Sequence, residues 1–248
     1  MARYDGKKVV IIGGTSGIGL TTAKMLVDEG ARVLATGRSQ GGLDSAQREL
    51  GEGALVVSSD AGSLTDIDAL AERAKAEFDT FDLLFVNAGI GLFAPFERTT
   101  EAMYDDVFKV NTKGSFFAVQ KLAPLINRGG SVVLTTAISN VKGMPMLAAS
   151  GATKAALRSF ARTFAVELAP QGIRVNAVSP GPTDTPSWGK SFPDAETVAH
   201  ITAQMSDANP MKRMGTSEEV AKAVLFLAFD ATYTTGAELP VDGGQSQL

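Results

Sequence analysis

The sequence predicts an α/β protein, a doubly wound parallel sheet of about seven strands with helices on both faces. Three observations predict it. Short β-branched runs alternate with longer helical patterns along the whole chain. The first such run leads straight into a glycine-rich turn. No low-complexity linker or fixed-period repeat divides the 248 residues, so one domain, 1–248, is expected.

The elements follow in order. Val9–Ile12 is apolar throughout, as a strand buried on both faces should be. Gly17–Glu29 reads as a helix ended by Gly30. Arg32–Ala35 and Ala54–Val57 are the next two strands. Thr65–Phe78 carries Ile67, Leu70, Ala71, Ala74 and Phe78 at helical spacing. Asp82–Val86 is a fourth strand, followed by a long helix over Met103–Leu125. Ser131–Leu134 is a fifth strand, Ala149–Leu168 a second long helix, Ile173–Val178 a sixth strand and Ser217–Phe229 a late helix. The stretch Pro182–Pro210 is weakly patterned. It holds Pro182, Pro186, Pro193, Pro210 and the only tryptophan, Trp188. It reads as a long loop with a short helix of its own. Such loops often cover active sites, so 182–214 is taken as a substrate lid.

Composition narrows the chemistry. With no cysteine, disulfides, thiolate nucleophiles and thiolate zinc sites are excluded. A single histidine, His200, excludes a multi-histidine metal site; it reads as a surface or lid residue, and no metal is expected. The formal net charge of −4 calls for no nucleic-acid partner. The N-terminus lacks a secretory h-region, and no run is long and apolar enough to span a membrane. A soluble, cytoplasmic protein with no membrane partner is expected.

The turn Gly13-Gly14-Thr15-Ser16-Gly17-Ile18-Gly19 follows the first strand and opens the first helix. Helix N-termini offer free N–H groups and a favourable dipole to phosphate, and glycines let it approach the backbone. With a second strand at the right distance, this is the context of a Rossmann-type dinucleotide site. That second strand runs into Ala35-Thr36-Gly37-Arg38-Ser39. The acid that would bind a ribose 2′-hydroxyl is missing, and Arg38 suits a 2′-phosphate, with the small Gly37 leaving room. NADP(H) is therefore favoured over NAD(H).

These residues, with several further segments, resemble the short-chain dehydrogenase/reductases over essentially the full length. The family's Thr-Gly-x3-Gly-Ile-Gly pattern matches the turn, with Ile12 in place of its threonine. Val86-Asn87-Ala88-Gly89 matches its Asn-Asn-Ala-Gly with one departure. Pro180-Gly181-Pro182-Thr183-Asp184-Thr185 and Val241-Asp242-Gly243-Gly244 match two later segments. The resemblance implies that Gly13, Thr15, Ser16, Gly17, Ile18, Gly19, Arg38, Ser39, Asn87, Ala88 and Gly89 contact the cofactor. It implies that Asp60 meets the adenine, and that Pro180, Gly181, Thr183 and Thr185 hold the nicotinamide amide. It also implies a ketone or alcohol substrate and a homotetramer or homodimer formed through the two long helices.

The family's catalytic set is a serine, twelve residues, a tyrosine, three residues and a lysine, with an asparagine upstream. Asn111 and Lys154 match. The tyrosine position holds Ser150 and the serine position Ala137. In the family the lysine binds the nicotinamide ribose and lowers the tyrosine's pKa. A serine hydroxyl is a far weaker acid than a phenol and shorter by a ring, and Ala137 offers no hydrogen bond. Impaired turnover is expected, with a water carrying protons to Lys154. Ser139 is a candidate substitute anchor: on a strand it faces the same side as Ala137, with its oxygen displaced by about 6–7 Å. Trp188, Phe192, Met205, Met211, Met214, Met144, Met146 and Leu147 are candidate pocket residues. The competing reading is a catalytically silent nucleotide-binding or assembly protein on the same fold.

Overall fold

The computed structural model describes residues 2–192 and 194–248; Pro193 of the expected lid lies outside the described residues. The chain order is β1 (Lys8–Ile12), α1 (Gly17–Asp28), β2 (Arg32–Gly37), α2 (Gln40–Leu50), β3 (Ala54–Ser58), α3 (Leu64–Phe78) and β4 (Phe81–Val86). It continues through α4 (Glu101–Phe108), α5 (Ser115–Leu122), β5 (Ile126–Thr135), α6 (Ala148–Leu168), β6 (Arg174–Pro180) and β7 (Thr183–Asp184). It ends with α7 (Trp188–Ser191), α8 (Ala195–Ala208), β8 (Gly215–Thr216), α9 (Ser217–Leu225) and β9 (Glu238–Val241).

Seven strands form one parallel sheet in the order β3-β2-β1-β4-β5-β6-β9. The continuous apolar run of β1 divides between its faces. Val10 and Ile12 pack with Leu84, Val132 and the α3 residues Ile67 and Leu70. Val9 and Ile11 pack with Leu83, Phe85 and the α9 residues Val220 and Val224. Burial on both faces is what an uninterrupted β-branched strand needs. Strand order reverses between β1 and β4, and the crevice beyond their carboxyl ends is where such sheets bind ligands.

The architecture is as expected; several boundaries are not. The helix expected over Met103–Leu125 begins at Glu101 and is interrupted by a π-helical turn, Lys109–Gly114, which carries Asn111. A widened turn of this kind is frequent at functional sites. The late helix likewise ends in a π turn at Phe226–Asp230. The 182–214 stretch contains two helices, α7 and α8, and β7 within it pairs in parallel with β8. Neither α2 nor β9 is expected from the sequence pattern. The α2 segment carries Gly41 and Gly42, poor helix formers, yet buries Leu43, Ala46 and Leu50 on one face. The β9 segment holds Pro240, which an edge strand tolerates.

Candidate active site

The turn after β1 is shaped by close backbone approach. Gly13 has φ +80°, and a Cβ there would lie 2.7 Å from the Ala88 amide nitrogen. A Cβ on Gly19 would overlap the Gly13 carbonyl oxygen. The Asn87 side chain holds this arrangement. Its Nδ2 donates to Gly13 O (2.9 Å), and its Oδ1 accepts from Thr135 Oγ1 (3.1 Å). The backbone amides of Asn87 and Ala88 both donate to Ile12 O. Asn87 therefore ties the ends of β1, β4 and β5 together. Ser16 caps α1 in extended conformation with no side-chain capping bond, so the first-turn amides beside Gly17 and Ile18 are open to a ligand.

Around this turn the other expected residues gather unevenly. A Cβ on Gly17 would lie 3.4 Å from Thr185 Cβ, so the Pro180–Thr185 segment closes over the turn. Gly181 donates its amide to Val241 O at 3.0 Å, and Thr183 Oγ1 donates to Gly181 O at 3.0 Å. Gly37 does not leave room for a phosphate as expected: Thr15 occupies the space its Cβ would take. A Cβ on Gly42 would lie 2.8 Å from Ser39 Oγ and 3.8 Å from Thr15 Oγ1. Thr15 and Ser39 thus edge one small recess, and Arg38 next to them is exposed. Asp60 follows β3; its Oδ1 accepts from the Gly62 amide at 2.9 Å.

At the opposite bank, α6 carries Ser150, Thr153 and Lys154. Lys154 Nζ donates to Thr135 O at 2.9 Å. Burial pushes its ammonium down to about 8. A Cβ on Gly89 would sit 3.4 Å from Lys154 Nζ and 3.2 Å from Asn111 Oδ1, so the bare glycine keeps the ammonium approachable. Asn111 is buried. Its Oδ1 accepts from Ile90 N (2.8 Å), and its Nδ2 donates to Ile90 O (3.0 Å) and Thr153 Oγ1 (3.1 Å). Ser150 Oγ accepts from Leu92 N (2.9 Å) and donates to Leu92 O (3.1 Å).

Ala137 begins a 3₁₀ turn, Ile138–Asn140. Ser139 therefore lies on a turn and not on a continued strand, which removes the geometric basis for using it as a substitute anchor. The turn is clamped from behind. Asn140 Nδ2 donates to Ala137 O (2.6 Å) and to Glu238 Oε1 (2.8 Å). Thr136 Oγ1 also donates to Glu238 Oε1 (2.6 Å), and Arg158 Nε pairs with Glu238 Oε2 at 3.1 Å. This clamp joins β5, β9 and α6 around position 137. Nothing in the local sequence pattern announces it.

Of the expected pocket residues, Trp188 and Phe192 come together, and Phe93 joins them. Sequence reasoning misses Phe93, because a lone aromatic in an irregular loop has no periodic signature. Met146 and Met211 are exposed. Met144, Leu147, Met205 and Met214 are half-buried. His200 is exposed on α8 with its Nε2 3.0 Å from Gln204 Nε2, a surface position as expected. Among the described residues no cluster suits a metal ion, and no helix is long and apolar enough to cross a membrane.

Comparison with known proteins decides the family. Residues 13–246 match the model described as enoyl-(acyl carrier protein) reductase. The chain belongs to the short-chain dehydrogenase/reductase family. It is 40% identical to oxidoreductase asL5 of Sarocladium schorii, over 99% of this chain and 98% of that protein. It is 36% identical to the 3-oxoacyl-[acyl-carrier-protein] reductase FabG of Thermotoga maritima, over 98% of each. The crystal structure of a short-chain dehydrogenase/reductase of the glucose/ribitol dehydrogenase type from Brucella melitensis superposes with a TM-score of 0.92. That structure is 29% identical and covers 100% of this chain and 99% of its own. As a family member, the chain is an oxidoreductase of the NAD(P)-dependent type that works between carbonyl and alcohol groups.

Proposed function

We propose that this chain is an NADP(H)-preferring carbonyl reductase whose chemical step is slowed by the residues at positions 137 and 150. The supporting observation is the pair of hydrogen bonds between the Ser150 hydroxyl and the Leu92 backbone, which engages both its hydrogen and a lone pair. A hydroxyl so occupied has no proton free for a substrate oxygen.

The residues present fit a dinucleotide. The glycine turn admits no side chain at Gly13 or Gly19. Lys154, with three N–H donors, has Thr135 O as its acceptor within the chain, which suits it to ribose hydroxyls. In this reading the first-turn amides beside Ser16, Gly17 and Ile18 hold the pyrophosphate. Thr15, Arg38 and Ser39 take the 2′-phosphate, and Asp60 faces the adenine. Ala88 and Gly89 would contact the cofactor, and Asn87 keeps the turn in place. Pro180, Gly181, Thr183 and Thr185 bind the carboxamide. When bound, the nicotinamide supplies or accepts the hydride. Lys154 keeps the remaining route for the proton, by way of water, and Asn111, bonded to Ile90 and Thr153, holds the loop beside it. Ala137 gives the substrate oxygen no hydrogen bond.

The working unit is a single domain, 1–248, with residues 182–214 as its lid. It pairs through α4, α5 and α6 into a homodimer or homotetramer; Phe116, Phe117, Phe160 and Phe164 form an aromatic cluster between α5 and α6.

The test is NADPH oxidation with a panel of ketones, for this chain and for Ala137→Ser/Ser150→Tyr. General acid–base groups contribute about 10²–10⁴-fold, so the double variant should gain at least about 100-fold in kcat. If NADPH binds both proteins and neither turns over, the silent nucleotide-binding reading replaces this one.

A further inference from the structure

The loop between β4 and α4 is pinned at alternate residues. Asn111 bonds both backbone groups of Ile90, Ser150 bonds both of Leu92, and Met146 O accepts from the Ala94 amide at 3.0 Å. Phe93 lies between the last two fasteners. Its ring centroid is 5.9 Å from that of Trp188 and 5.3 Å from that of Phe192. Trp188 lies on α7 and Phe192 directly follows it. Their rings are nearly parallel, 8° apart, with centroids 6.2 Å apart.

Two further details give this cluster a direction. The Trp188 indole N–H donates to Thr183 O at 2.8 Å, so the exposed part of that ring offers no free polar group. All three rings belong to half-buried residues, so each keeps some surface open to a ligand. Gly91 leaves room for the Phe93 ring. A Cβ there would lie 3.1 Å from the Phe93 ring and 3.9 Å from Ser191 Oγ. The wall also stands close to the reacting end of the site. Phe93 adjoins Leu92, Leu92 is bonded to Ser150, and Ser150 is one helical turn from Lys154.

We propose that Ser150 is a positioning residue: by fastening Leu92 it seats Phe93 against Trp188 and Phe192, building one aromatic wall for the flat, apolar part of a carbonyl substrate. This rests on the reading of the cleft as a carbonyl–alcohol site. Aryl and fused-ring ketones stack on such a wall. Short aliphatic ketones cover little of it and bind more weakly. It also follows that Ser150→Tyr supplies an acid but undoes the fastening, so the double variant of the previous section turns over faster while its preference for aryl ketones narrows.

Trp188 is the only tryptophan of the chain, so its fluorescence reports the wall directly and without turnover. The experiment titrates acetophenone and butanone into the full chain with saturating NADP⁺, for the parent, Ser150→Ala and Ser150→Thr. Acetophenone should quench Trp188 saturably, with an affinity roughly 10-fold above that of butanone. Ser150→Ala should shift the emission to the red and erase that preference. Ser150→Thr, which keeps the hydroxyl, should restore both. Equal behaviour of Ser150→Ala and Ser150→Thr, or equal quenching by the two ketones, would overturn the proposal. Should Ser150→Ala fail to fold, Phe93→Ala decides in its place: lost aryl preference supports the wall, and retained preference rejects it. Absence of NADP⁺ binding by the parent would overturn the functional reading alone, since the same ketone titration of the apo chain still decides the wall.

Discussion

The bank of the cleft built by Gly13–Gly19 leaves the first-turn amides of α1 without a side-chain cap, whereas the bank built by Ser150 and the 90–94 loop has its side-chain polar groups bonded. On the first bank, α1 starts without a side-chain cap, and glycines stand where any Cβ would collide. Uncapped amides in that setting are a ready anion site. On the second, the polar groups of Asn111 and Ser150 are bonded to Ile90 and Leu92. Lys154 stands between the banks, half-buried and with its ammonium disfavoured. The contrast teaches that binding and chemistry in one cleft can part company. On the proposed reading, cofactor binding depends on backbone shape, which few substitutions leave intact, and proton transfer depends on the side chains at 137 and 150, which can change while the fold persists.

The largest test of this contrast is Gly19→Val. Its added carbons overlap the Gly13 carbonyl within the α1 turn, so the backbone must move. A loss of more than about 4 kcal/mol in denaturant unfolding, with NADPH binding abolished, is expected. Near-native stability would show that the turn is more pliable than its packing implies.

Lys154→Met comes next. The folded-state pKa of about 8 lies below the ordinary 10.5. Between those values the folded chain holds fewer protons than the unfolded one, so stability rises with pH across that window. Below pH 8 the buried ammonium costs the apo chain at most about 3 kcal/mol. The Met variant should therefore be more stable at pH 7 without cofactor, and its unfolding free energy should lose that part of the rise between pH 8 and 10.5. An unchanged slope would mean that the ammonium is better solvated than its burial indicates.

The smallest effect is on cofactor choice. Arg38→Asp replaces an exposed guanidinium at the recess edged by Thr15 and Ser39. Charge-assisted hydrogen bonds contribute about 1.5–3 kcal/mol. NADPH affinity by calorimetry should fall roughly 10- to 100-fold while NADH affinity holds or improves. Equal losses for both dinucleotides would separate Arg38 from the 2′-phosphate.

Much of the first bank is legible in the order of the residues. Gly13, Gly17 and Gly19 lie between strand and helix within a few residues, so local order alone carries the turn. The spacing of Ser150 and Lys154 likewise places both on one face of α6, since four residues make about one helical turn. Other features stay hidden for particular reasons. Ser139 would share a face with Ala137 only on a strand, but β5 ends at Thr135, and Asn140 bonds back to Ala137 O where the chain turns. The β9 strand is obscured by Pro240, whose cost is avoided only because the strand is at the sheet edge.

The sequence by itself determined six of the seven strands of the sheet, the glycine turn and the resemblance to the family, because periodicity, backbone freedom and residue counting are local properties. Only the tertiary structure decided what the Ser150 hydroxyl does, since Leu92 is 58 residues away in the chain. The same holds for Glu238, which reaches Thr136 across 102 residues, and for the meeting of Phe93 with Trp188. A hydroxyl carries no mark of its partner. Which donor and acceptor it meets depends on how two distant segments pack, and here that packing ties the Ser150 hydroxyl to both backbone groups of Leu92.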